Sequence, residues 1–137
     1  MFYCACKVGR VVELRVEALH TAEDVEAYAK AIDRVVSASR ERAIICADHR
    51  PVGIYSPAVT DALVAMFTTL NSRIERAALI ASPTNATFVL QLQRIVREAE
   101  NSQRRVFLDP HKMVIWLSDV LTRHEIAQVR AHLGVTR

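Results

Sequence analysis

The chain has 137 residues, 51% of them hydrophobic, three cysteines and a formal charge of +3. That length suits one domain with a core of its own and is short for two. No apolar run approaches the ~18 to 20 residues needed to cross a bilayer, so no membrane span is expected.

The start, MFYCACKVGR, lacks the basic lead, long apolar middle and small-residue cleavage site of an export signal. Cys4, Cys6 and Cys46 are an odd set without the dense spacing of a disulfide scaffold. A cytoplasmic protein without structural disulfides is therefore expected. Residues 1 to 72 carry 8 basic and 9 acidic side chains, and residues 73 to 137 carry 10 and 6. The second half is thus compatible with an anionic partner without requiring one.

Residues 2 to 17 read as two strands. In VVELRVE, Val12, Leu14 and Val16 alternate with Glu13, Arg15 and Glu17, the period of a sheet with one wet face. Gly9-Arg10 suits a tight turn between antiparallel strands. Thr21 and Asp24 form a capping-box variant, and Val25, Tyr28, Ala29, Ile32 and Val36 share one face of a helix that ends near Ser39.

AIIC at 43 to 46 has no alternation, as expected of a strand buried on both faces. After a loop, Ser56 is placed to cap a helix with Pro57 in its first turn. Val59, Ala62, Leu63, Met66, Phe67 and Leu70 then mark its apolar side. AALIA at 77 to 81 is a further buried strand, followed by the turn SPTN and a helix with Phe88, Leu92, Ile95, Val96 and Ala99 inward.

RVFL at 105 to 108 is the last strand. Asp109 caps a helix carrying Met113, Trp116, Leu117, Val120 and Leu121. Thr122 and Glu125 form a capping box for a final helix that closes near Gly134. The order β-β-α-β-α-β-α-β-α-α predicts an α/β domain over 1 to 137: a mixed, mostly parallel sheet of about five strands, an N-terminal antiparallel hairpin, and helices packed on it.

This layout resembles the STAS domain, which is shared by sulphate transporters and anti-sigma-factor antagonists. It is most similar to the stand-alone SpoIIAA-like branch, related in fold to Sec14-type lipid-binding domains. The resemblance covers about Phe2 to Leu133, and RVFLDPHKMVIWL looks like that branch. In anti-sigma-factor antagonists the helix after this loop opens with Asp-Ser-Ser-Gly, whose first serine is phosphorylated by a partner kinase. Laid on this chain, the tetrad falls on Ser56-Pro57-Ala58-Val59. Proline then occupies the acceptor position, and Ser56 becomes the acceptor only if the loop is one residue shorter.

The segment DHRPVG lies beyond the carboxyl end of a strand, where α/β sheets place ligands. Asp48 and His49 are adjacent on extended chain, so they point apart and do not make a catalytic dyad. As solvated turn or contact surface, Asp48, His49, Arg50, Tyr55 and Ser56 form the candidate partner-binding or phosphoacceptor region.

Cys4 and Cys6 share a strand face, but no paired CxxC or HxxxH supports a metal. His20, His49, His111, His124 and His132 are scattered, with His124 and His132 expected on the surface of the last helix. Arg94, Arg97, Arg104 and Arg105, followed by Lys112, Arg123 and Arg130, read as a solvated face. Nucleic-acid binding is not expected, because stacking aromatics are not interleaved with them. Three glycines build no phosphate-cradling loop, and no serine sits in a GxSxG elbow.

The resemblance therefore implies a non-enzymatic regulatory or adaptor module without cofactor, binding a partner protein through the loop and helix after the third strand. The alternative is a small-ligand or lipid binder with a pocket lined by Tyr55, Met66, Phe67 and Trp116. A symmetric dimer through the hairpin edge or the Trp116 helix is a further expectation.

Overall fold

Five strands hydrogen-bond in chain order, β1 (Phe2–Ala5), β2 (Val11–Val16), β3 (Ala43–Asp48), β4 (Ile74–Ile80) and β5 (Arg104–Phe107). The computed structural model describes residues 1 to 135. β1 runs antiparallel to β2, with Cys4 opposite Leu14, and the other three pairings are parallel. This is the mixed sheet that the alternation of elements predicts.

Three crossovers advance along the sheet in one direction, and a crossover of constant hand puts successive helices on one face. That face carries α1 (Ala22–Ser37), α2 (Pro57–Leu70) and α3 (Ala86–Glu98). They bury Val12, Leu14, Ile45, Ala47, Ala77 and Leu79 beneath Tyr28, Leu63, Phe67 and Phe88. After β5 the chain turns under the sheet. There α4 (Pro110–Ser118) and α5 (Arg123–Leu133) bury Val11, Ile44, Cys46, Ala78 and Ile80 against Met113, Leu117 and Val129. Covered on both sides, β3 is buried along its whole length.

Local chemistry sets the helix starts. Thr21 and Asp24 close a capping box on α1, and Thr122 and Glu125 close one on α5. The Ser56 hydroxyl accepts the Val59 N–H at the start of α2, and Asp109 accepts the His111 N–H at the start of α4. Gly134 ends α5 with φ +73°.

Two readings of the first hairpin change. Its connection spans 6 to 10 and is no two-residue turn; Gly9 takes φ +55° within it. A Cβ at Gly9 would also meet the Glu125 carboxylate, which accepts the Arg10 N–H. β2 has no wet face either. α5 covers Glu13, which accepts a hydrogen bond from Gln128 and is buried.

Among the described residues no helix is long and apolar enough to cross a membrane. Nor do three His, Cys, Asp or Glu side chains gather as a metal site.

Candidate functional site

β3 ends in Asp48, and from there the side chains separate as extended backbone requires. Asp48 points to the α5 side of the sheet. It lies 2.9 Å from the Arg50 guanidinium and 3.4 Å from that of Arg15, and it also accepts the Arg50 N–H. Both arginines reach on to the end of α5, Arg15 to the carbonyl of His132 at 2.8 Å and Arg50 to that of Leu133 at 3.0 Å. Asp48 thus neutralises two cations that hold the last helix. Burial disfavours its charge, but the hydrogen bonds from Arg50 and Arg15 outweigh that and lower its pKa below 3.8.

His49 points to the opposite side and is wholly buried. Its Nδ1 lies 3.0 Å from the Tyr55 hydroxyl, and its ring stacks at 6.4 Å on Phe88. Its Nε2 has no partner among the described residues. The ring borders a cavity of about 20 Å³ between the sheet and helices α1 and α2, lined otherwise by apolar groups such as Tyr28, Ile32 and Met66 and, at one end, by Arg104. Desolvation lowers the His49 pKa to about 4, so the imidazole is neutral at pH 7. Burial likewise pushes the Tyr55 phenol up.

The loop between these groups and α2 is fastened from α3. Gln91 accepts the Tyr55 N–H at 2.9 Å and donates to the Tyr55 carbonyl at 2.8 Å. Asn85, the cap of α3, donates to the Gly53 carbonyl at 2.7 Å. Two side-chain amides therefore replace the ladder bonds that this extended backbone lacks. On the fixed backbone Ile54 is 64% exposed, and Leu90, next to Gln91, is 68% exposed. Between α2 and α3 lies a groove of about 430 Å³ bordered by Tyr55, Pro57, Leu90 and Arg94.

Of the five residues in the sequence-derived region, Asp48, His49 and Tyr55 are buried, Arg50 is half-buried, and Ser56 is exposed. The first three build the scaffold beneath the loop, and the surface above it belongs to Ile54, Ser56 and Leu90. Ile54 lies within the segment from Asp48 to Ser56 that the sequence singles out, whereas Leu90 does not, although it lies off the apolar stripe Phe88, Leu92 and Ile95, which is the available signal.

Three expectations are corrected. Met66 and Phe67 line the inner cavity, whereas Trp116 packs under the sheet with Phe107, so Tyr55, Met66, Phe67 and Trp116 share no pocket. His132 is buried rather than superficial, with Nε2 2.8 Å from the Leu14 carbonyl and Nδ1 3.5 Å from Glu13. Arg104 is also buried. Its guanidinium donates to the Phe67 carbonyl and to Asn71, closing the end of α2, and desolvation lowers its pKa to about 10.

The chain matches no family model, no curated protein and no solved structure.

Proposed function

We propose that this chain is a non-catalytic docking module of STAS-like kind, which receives a partner protein on the loop around Ile54 and on the facing sides of α2 and α3. The observation that carries the reading is the pair of exposed apolar side chains, Ile54 on loop backbone that Gln91 and Asn85 already hold in place and Leu90 on helix α3. A preformed surface spends little free energy on ordering when it binds, and apolar groups beside a groove supply anchor points. The resemblance to anti-sigma-factor antagonists puts the partner contact of that family on the corresponding loop.

The test compares the wild-type chain with Ile54→Asp/Leu90→Asp, each carrying a photo-crosslinker at Pro57, in its native cell. A protein crosslinked to the wild type and missing from the variant is expected. The same crosslinks with both would overturn the reading. Intact-mass measurement with and without phosphatase examines Ser56 separately.

A second reading, a small-ligand binder, draws on the His49 Nε2, which has no partner among the described residues and lies beside the inner cavity. A volume of 20 Å³ is about the room one water needs, so a larger guest requires α1 and α2 to part. Native mass spectrometry of the purified protein separates the readings: a co-purified molecule that His49→Phe loses favours the ligand binder.

A further inference from the structure

The fifth strand leaves one edge of the sheet open. Among the described residues β5 is paired only with β4. The Ala77 N–H bonds the Gln103 carbonyl and the Ala81 N–H bonds the Phe107 carbonyl, so residues 103, 105 and 107 turn their backbone groups inward. By the alternation of a parallel ladder, the carbonyls of Arg104 and Val106 and the N–H groups of Val106 and Leu108 are directed outward. Such a row is a template for another strand.

The surroundings of this row are cationic and partly apolar. On the α3 side, a groove of about 470 Å³ runs between helix and strand, bordered by Arg97, Glu100, Arg105 and Val106. On the α4 side, the guanidinium groups of Arg76 and Arg105 each lie 4.9 Å from the centre of the Trp116 ring. Leu108, which follows the strand, and Ile115, which precedes Trp116, are both exposed. Arg97 and Arg105 are exposed and form no ion pair among the described residues.

We propose that the β5 edge receives an extended acidic segment of another protein as a sixth strand. Alternate side chains of an added strand fall on opposite faces. Carboxylates on one face meet Arg97 and those on the other meet Arg105, while an apolar neighbour rests on Leu108 and Trp116. A second copy of this chain is a poor occupant, because joining two β5 edges would bring arginines of like charge together. The charge that guards the edge against self-pairing is the charge that selects an acidic strand. This surface is separate from the loop and groove proposed above, and either stands without the other.

Trp116 is the chain's one tryptophan and reports on this site directly. The probe is a ten-residue peptide of repeating Glu-Glu-Val-Val, which puts carboxylates and apolar groups on both faces of a strand, titrated against the full chain. A saturable change in Trp116 emission is expected, weakening as salt rises because the carboxylate contacts are exposed. Arg97→Glu/Arg105→Glu should weaken binding about tenfold or more. The same peptide N-methylated at alternate residues keeps its charge but cannot pair with the edge, and should not bind.

Equal binding of the N-methylated peptide, or of the matching Lys-Lys-Val-Val peptide, would overturn strand addition to this edge. So would tighter binding of a single-stranded oligonucleotide, which would make the patch a nucleic-acid surface. No response up to millimolar acidic peptide would overturn it as well.

Discussion

The Nδ1 of His49 and the hydroxyl of Tyr55 meet at 3.0 Å inside the protein and join the end of β3 to the loop that follows it. Tyr55→Phe removes the hydroxyl and leaves a buried nitrogen without a partner. The expected loss is about 1 to 3 kcal/mol in urea unfolding. Wild-type stability in this variant would show that the contact contributes nothing.

Acid should act on the same group. The folded pKa of His49, about 4, lies below its ordinary 6.5, so the unfolded chain takes up a proton first as pH falls. The stability it confers is complete above pH 6.5 and drains between 6.5 and 4, by on the order of 3 kcal/mol. His132, also held down by burial, adds to this loss. His49→Leu should flatten the stability curve in that window relative to wild type, and an unchanged slope would contradict the assignment. Asp48 works in a separate window: its lowered pKa keeps its contribution intact above about 3.8, and this is lost only at lower pH.

Asp48→Asn removes the charge that Arg15 and Arg50 share. Both arginines are partly exposed, so a loss of about 2 kcal/mol is expected, less than for a fully buried pair. Because those arginines also hold the carbonyls of His132 and Leu133, amide exchange should accelerate in α5 more than in α2. A uniform rise across the sheet would instead indicate a global effect.

Ser56→Ala removes the cap of α2 and should cost about 1 kcal/mol in thermal or urea unfolding. Ser56→Asp should lie close to wild type, since aspartate caps as well and suits the positive end of the helix. A large loss in the aspartate variant would mean that the hydroxyl does more than cap.

Gly9→Ala tests the join between the hairpin and α5. The left-handed backbone at φ +55° disfavours a side chain, and the added carbon displaces the Glu125 carboxylate from the Arg10 N–H. Together these should cost about 2 to 3 kcal/mol. A much smaller cost of Gly9→Ala in a Glu125→Ala background than in the wild type would show that crowding, rather than φ, dominates.

The element order could be read from apolar spacing because each signal is local: the capping boxes at Thr21 and Thr122, the unbroken AIIC strand, and the stripe from Val59 to Leu70. What spacing does not encode is which face of the sheet a helix covers. Met66 and Trp116 both lie on apolar stripes, yet they end on opposite sides of the sheet.

Polar residues misled for the same reason. Glu13 and His132 have ordinary surface patterns, and only the return of α5 beneath β2 buries them. Arg104 looks like one member of a basic run until its two acceptors at the end of α2 draw it inward. The loop beyond β3 was legible as a position, whereas its fastening by Gln91 and Asn85 joins residues more than thirty positions apart.

Among the described residues, the underside of the sheet is roofed by the last two helices and the short segments beside them. As the polypeptide is synthesised, the upper layer has all its parts once β5 has emerged. Val11, Ile44, Cys46, Ala78 and Ile80 then form an oily plane awaiting residues 110 to 135. Nascent chains halted before that stretch should be the ones that chaperones bind and that clump, and Arg15 and Arg50 act as the latch that shuts when α5 arrives.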